Sequence, residues 1–354
     1  MSSNNPDGIL THGVSQPDQK RFRIPVMIRI IVVLLIVIII SFIIGRYEIS
    51  VWEVFSVLTG TLFHQESTLP TVVETVVLQV RLPRILAAII IGMALAISGA
   101  SYQGLFRNPM VSPDILGASS GAGFGAAIAI LISWNTVLIQ FTSFLFGLAA
   151  VFLSYMIASK IARGGSSVLM LVLTGMVVSA MFSAFISMIK YMADMDGKLP
   201  AITFWLMGSL SSVTMPDLLI LLIPFLLGCI PLFLLRWKLN VLSFGEDEAK
   251  ALGINTKRIR IVIILCATLL TASSVSVCGM IGWVGLVIPH IARMVVGPNY
   301  RILIPASTLM GGTFLLLVDD LARSVSSFEI PLGILTAVMG APFFLAMLLY
   351  KQKL

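Results

Sequence analysis

Ten stretches of this chain are apolar and almost free of charge over the length of a membrane crossing. They are 26–45, 84–105, 115–133, 138–158, 168–190, 217–235, 261–279, 281–296, 302–321 and 331–350. A helix of about 20 such residues crosses the ~30 Å hydrocarbon layer, and in lipid each backbone N–H and C=O must find its partner inside the structure. The fold class this predicts is an all-α, multi-pass membrane protein with about ten spans. Only 11% of the residues are charged, against about 25% in soluble domains. The run 261–296 is too long for one span and barely enough for two, and Gly279 and Gly282 mark its turn.

Charge orients the spans. With both termini inside, Arg46, Arg81, Arg84, Lys190, Lys198 and Arg323 are the outward basic residues, and the other 17 of the 23 Lys and Arg face inward. That asymmetry satisfies the positive-inside rule, whereas nine spans would put Lys351 and Lys353 outside. The net charge of +7 is therefore mostly topology, and no soluble basic face for nucleic acid is left over. Residues 1–25 are polar and read as a disordered inner tail. Residues 26–350 form one membrane domain without an internal linker. Behind the tail is a full span with no small-residue cleavage site, so an uncleaved first helix is expected.

Several chemistries lack their residues. The three cysteines fall within or at the end of spans, an odd, apolar set that suits neither a disulfide framework nor a metal site. The three histidines are scattered, and no metal is expected. No Gly-x-x-x-x-Gly-Lys-Ser/Thr loop occurs, so the chain is expected not to be an enzyme. ATP and its magnesium would be held by a partner, and the chain itself needs no cofactor.

One polar island, 236–260, interrupts the apolar pattern on the inner side with nine charged residues. Glu246, Asp247 and Glu248 crowd the start of a short helix over 246–252, as the helix dipole favours, with Lys250 at i+4 from Glu246. Gly253 supplies the stop. A charged helix held at a membrane surface is a place for another protein to push.

The run from Leu95 to Gly125 is rich in glycine. Gly92, Gly99 and Gly104, then Gly117, Gly121, Gly123 and Gly125, suit close helix packing, while Asn108-Pro109 and Ser112-Pro113-Asp114 break the chain between them. Gly99, Pro109 and Gly117 recur as Gly279, Pro289 and Gly297 at an offset of 180, which would make the halves inverted copies. Asp114, Asp319 and Asp320 lie near span ends and read as solvated caps rather than a proton relay. His290 reads as structural.

Five motifs stand in order: RLPR at 81–84, SGASYQGLFRNPMVSPDILGASSGA from Ser98, FGEDEAKALGI at 244–254, GWVGLVIPHIAR at 282–293 and IPLG at 330–333. Together they resemble the FecCD-type permeases, membrane subunits of importers for iron-siderophores, haem and cobalamin, with similar proteins handling molybdate or tungstate. The resemblance implies a multi-pass protein of the cytoplasmic membrane that pairs with a second copy, two cytoplasmic ABC ATPases and an extracytoplasmic substrate-binding protein. It implies a coupling role for Gly245, Glu246, Ala249, Leu252 and Gly253, with the pathway along the third, fifth and tenth spans. Asn108, Pro109, Ser166 and Ser167 would lie near the inner gate. Arg81, Arg84 and Arg323 would receive acidic knobs of the binding protein, to which arginine is suited by its permanent charge and forked geometry; Asp319 and Asp320 compete for Arg323. The expected cargo is an iron(III) chelate. An ion-coupled secondary transporter is the competing class, but it predicts a mid-span carboxylate, and none of the ten spans carries one.

Overall fold

A computed structural model describes residues 19–63, 69–161, 167–326 and 328–351, and every regular element among them is helical. The helices are α1 (Gln19–Ile43), α2 (Val51–Phe63), α3 (Thr71–Thr75), α4 (Leu82–Leu105), α5 (Ala118–Leu131), α6 (Thr136–Ile161), α7 (Ser167–Met192), α8 (Lys198–Met207), α9 (Met215–Phe244), α10 (Glu246–Ala251), α11 (Thr256–Cys278), α12 (Val284–Val296), α13 (Tyr300–Ser324) and α14 (Leu332–Lys351). Seven helical runs among the described residues are long and apolar enough to cross a membrane. The shorter apolar helices α5, α12 and α14 occupy the other three expected positions. Residues 1–18 of the expected tail lie outside the described residues, and α1 already begins at Gln19.

The second span is longer than expected. A π-helical turn, Val76–Arg81, joins α3 to α4, giving one helical run Thr71–Leu105. Residues 71–80 contain a single charge, Glu74, so nothing in them stops the helix before the RLPR motif. That motif consequently lies inside a helix rather than at its mouth. The segment between the first two expected spans also holds a helix, α2.

The core is built on α4, α11 and α13. Their most apolar stretches are 78%, 72% and 67% buried, against 28–33% for α1, α6, α7 and α9. Close approach depends on glycine: a Cβ on Gly99 would overlap the Gly285 carbonyl of α12, and one on Gly92 would overlap that of Gly311 on α13. Gly121 and Gly125 of α5 similarly face the backbone of α6. These glycines serve packing, as small residues do where helix backbones must touch in lipid.

At 14 and 13 residues, α5 and α12 are each only about 20 Å long. Irregular backbone completes their passage, and it must be satisfied by protein. Ser209 N donates to Cys278 O at 2.8 Å and Leu332 N to Gly208 O at 2.9 Å, so the segments before α9, α12 and α14 bind one another. The expected turn at Gly279 is where α11 ends.

The two halves repeat a series of helix lengths. α5, α6 and α7 start at 118, 136 and 167, and α12, α13 and α14 at 284, 300 and 332, about 165 positions later. In both halves the short helix packs on the two helices that follow. It is also preceded in both by a residue of positive φ, Gly117 at 88° and Trp283 at 68°. α4 and α11, which open the halves, pack antiparallel: Ser98 bonds Ala267 O, and Tyr102, one turn on, reaches Ile264 O. The offset of 180 does not relate equivalent positions, because Gly99 sits inside a helix whereas Gly279 follows one.

Candidate coupling, gate and docking sites

The inner island folds as expected in outline and differently in detail. α9 runs ten residues beyond Leu234 into the polar segment and stops at Gly245, whose φ of 150° and contact with the Glu248 carboxylate admit no side chain. α10 spans 246–251, and Gly253 N closes it on Lys250 O at 2.9 Å. Lys250 bonds Asp247 at 3.2 Å rather than Glu246. Glu246 is held by Arg260 of α11, because a helix of this length leaves its first acid beside the next helix. Ala249 is fully buried among Leu239, Leu242 and Ile259. The outward surface of α10 is therefore Asp247, Glu248, Lys250 and Ala251, flanked by Leu252 and by Phe244, which is 76% exposed. Phe244 carried no signal in the sequence beyond being an aromatic beside charges.

From the inner end of α9, the helix that leads into α10, a chain of polar contacts runs to the broken segment after α4. Asn240 of α9 bonds Asn299 at 2.9 Å and accepts from Tyr300 N at 2.8 Å. Arg293 reaches the Tyr300 hydroxyl at 3.4 Å and Gln103 Oε1 at 3.2 Å. Gln103 is five residues before Asn108, and its carbonyl accepts from Asn108 N. Asn108 is exposed and Pro109 half-buried at this same inner end, following Arg107 with its φ of 51°. Asp114, in the short helix Pro113–Leu116, accepts from the Ser119 hydroxyl. Ser166 and the side chain of Ser167 lie outside the described residues.

At the outer end the three arginines are turned inward, and Asp319 and Asp320, expected as solvated caps, are buried. Arg81 is 3% exposed and donates to the carbonyls of Phe42, Ile43 and Tyr47, serving the C-terminal carbonyls of α1 that have no partner within the helix. Arg323 donates to Ser41 O at 2.6 Å and pairs with Asp320, which also accepts from the Ser41 hydroxyl at 2.6 Å. Arg84 pairs with Asp319 and, at 2.8 Å, with Glu329. The Glu329 side chain is 31% exposed, making it the part of this network that faces outward. Glu329 was missed in the sequence; an acid in a short outer connection close to the RLPR arginines was its only signal.

The exposed faces of the long helices differ in chemistry. On α1 and α9 they are aliphatic, as with Val32, Leu35 and Ile39, or Leu219, Ile223 and Leu227. On α7 they interleave Met176, Met181 and Met188, and the small residues Ser183, Ala184 and Ser187, with the apolar Leu169, Leu173, Val177 and Phe185. Ser187 bonds its own helix at Ser183 O, which mutes its polarity. No charge stands between Ser167 and Ile189, and Tyr191 and Met195 continue this face outward at 91% and 83% exposure.

Comparison with known proteins agrees with these features. The FecCD transport family matches residues 33–350. The chain is 43% identical over 328 residues to the molybdate import system permease protein of Haemophilus influenzae, covering 93% of this chain and 96% of that protein. It is 38% identical over 339 residues to the Fe(3+)-citrate import system permease protein of Bacillus subtilis, covering 95% and 97%. Its fold matches a metal-chelate type ABC transporter solved in an inward-facing conformation, with a TM-score of 0.82 at 42% identity over 92% of this chain and 99% of that one. A multi-helical membrane chain with a charged helix at its inner face and this family match along nearly its whole length belongs to the FecCD transport family, as a permease subunit of an ABC importer.

Proposed function

We propose that two copies of this chain form the pathway for an iron(III) chelate through a cytoplasmic membrane, with separate ATPases bound at α10 and an extracytoplasmic protein delivering the cargo. The α7 face carries this reading. An uncharged surface in which Met, Ser and Ala are mixed with Leu, Val and Phe lets a bulky, partly apolar complex slide without a deep binding well, and it is less uniformly aliphatic than the exposed faces of α1 and α9. α14, the tenth span, adds Met339, 40% exposed, and is likewise uncharged until Lys351. Force on Asp247, Lys250 and Phe244 would move the end of α9 and, through Asn240, Tyr300, Arg293 and Gln103, reach Asn108 and Pro109 at the inner mouth. A closed-to-open shift of this kind needs only a few kcal/mol of differential contact.

For the outer face, the reading that fits the buried arginines is competitive. An acidic group of the binding protein would take the place of Glu329 on Arg84, while Arg81 and Arg323 hold α1 beneath it. A second cargo, molybdate, is favoured by the 43% identity to the Haemophilus influenzae permease. An oxyanion would have to cross on hydroxyl and backbone donors, since the α7 face has no cation.

Uptake into vesicles holding this chain, its ATPase and its binding protein separates these readings. Labelled iron(III) chelate should accumulate with ATP and go uncontested by excess molybdate. Accumulation of molybdate alone would transfer the assignment to the oxyanion. Uptake without ATP that follows a proton gradient would reject the importer reading.

A further inference from the structure

Away from α7 and α10, a cavity of about 590 Å³ opens at the outer end between α6, α8, α9 and α11. Hydroxyls of Thr136, Ser209, Ser212 and Thr214 line it, with Gln140 and Asp217. Asp217 Oδ2 accepts from Thr214 N at 2.8 Å and Oγ1 at 2.6 Å, and Oδ1 accepts from Gln140 Nε2 at 2.8 Å. A carboxylate can only accept, so the Gln140 amide must turn its NH₂ toward Asp217. Its Oε1 is left buried without a donor, on a residue only 8% exposed. The chamber thus offers a carboxylate, with the unanswered Gln140 oxygen buried just behind its wall, and none of its lining residues is basic.

The same walls continue into a second cavity of about 500 Å³ between α6, α9 and α11, which shares Val137, Gln140, Ile220, Ser276 and Val277 with the first. This groove is almost wholly apolar, and its rim residues Phe141, Ile223 and Leu227 are about 60% exposed. An acceptor-rich head chamber joined to an apolar groove at the depth of the acyl chains is the shape of an amphiphile site. We propose that this site holds a phospholipid whose headgroup ends in a primary ammonium. The ammonium would donate to Asp217 and, as the Gln140 side chain turns toward the chamber, to its Oε1, and one acyl chain would lie in the groove. An ammonium brings three donors and a positive charge. A headgroup carrying only negative charge would meet Asp217 with no cation to receive it. A second copy of the chain would leave the orphaned acceptor unexplained, since it is the chamber rather than the aliphatic rim that calls for a donor.

Native mass spectrometry of the full chain, stripped of lipid and re-exposed to phospholipids with identical acyl chains, tests this. Phosphatidylethanolamine should be retained about tenfold or more above phosphatidylglycerol, as a charge-assisted hydrogen bond permits. Phosphatidylcholine, whose methylated nitrogen keeps the positive charge but has no donor, should fall between the two on the unaltered protein. Asp217→Asn with Gln140→Leu should bring the three lipids to parity, and Val137→Trp at the groove mouth should lower retention of all of them. Equal retention of the three headgroups by the wild-type chain would overturn the site as ordinary surrounding lipid. So would efficient disulfide cross-linking between two copies of Val137→Cys, which would assign the groove to a second chain.

Discussion

Arg84 and Asp319, 235 positions apart in the chain, meet as a two-pronged pair: Nε lies 2.9 Å from Oδ2 and Nη2 2.9 Å from Oδ1. The Asp319 side chain is fully buried and that of Arg84 nearly so. Removing one partner strands the other charge, so Asp319→Ala should destabilise the chain by about 3–5 kcal/mol. Replacing both, as Arg84→Met with Asp319→Leu, should recover most of that loss. Thermal unfolding in detergent compares them, and a double variant no better than the single would show that the pair is not the cause.

Glu329 is the exposed competitor in the same network. If binding-protein acids reach Arg84 by displacing it, Glu329→Gln should strengthen capture several-fold, and more at low ionic strength, where exposed charges are least screened. Surface plasmon resonance across a salt series reads this; an affinity indifferent to both the substitution and salt would remove Arg84 from docking.

Ala249 and Asp247 separate packing from contact. Ala249→Glu should push α10 off α9 and α11, because a buried, unpaired charge has no place there. It should reduce both stability and ATPase recovery. Asp247→Lys alters a side chain that is 93% exposed and should leave unfolding unchanged while weakening co-purification of the ATPase. Full recovery of the ATPase with Asp247→Lys would move the docking surface away from this face.

Gly99 has no room for a methyl group. Gly99→Ala should cost about 1–3 kcal/mol or more, as overpacking does, by separating α4 from α12. Gly253→Ala is the spatial control, since no atom lies within 4 Å of its would-be Cβ, although its φ of 75° still makes the substitution mildly strained. Comparable expression and melting temperature for Gly99→Ala and wild type would contradict the packing described.

The α7 face can be told from a lipid face by thiol labelling. The native cysteines Cys229, Cys266 and Cys278 are all buried, so background should be low. Ser183→Cys should react with a water-soluble maleimide when the pathway is open, and Leu226→Cys on α9 should stay unreactive. Equal protection of both would argue against water reaching the α7 face.

Much of the fold was legible because its causes are local. Apolar length marked each span position, Gly279 marked the turn within 261–296, and the acids of 246–248 marked the start of α10. Where the reading went astray, the deciding group lay elsewhere in the chain. Lys250 lost Glu246 to Arg260, a residue on the following helix. The repeat was sought through matching glycines at 180, but helix lengths preserve it near 165, since packing constrains length and contact more than residue identity.

By itself the sequence determined a multi-pass helical chain and the side on which its charged island lies. These follow from hydrophobic length and charge asymmetry, neither of which requires knowing what touches what. Tertiary structure alone decided the fate of the outer arginines. Whether a guanidinium near a span end faces water or a carboxylate depends on where the helix starts and what packs beside it. Here the helix starts at Thr71, and α13 brings Asp319 and Asp320 from more than 200 positions away.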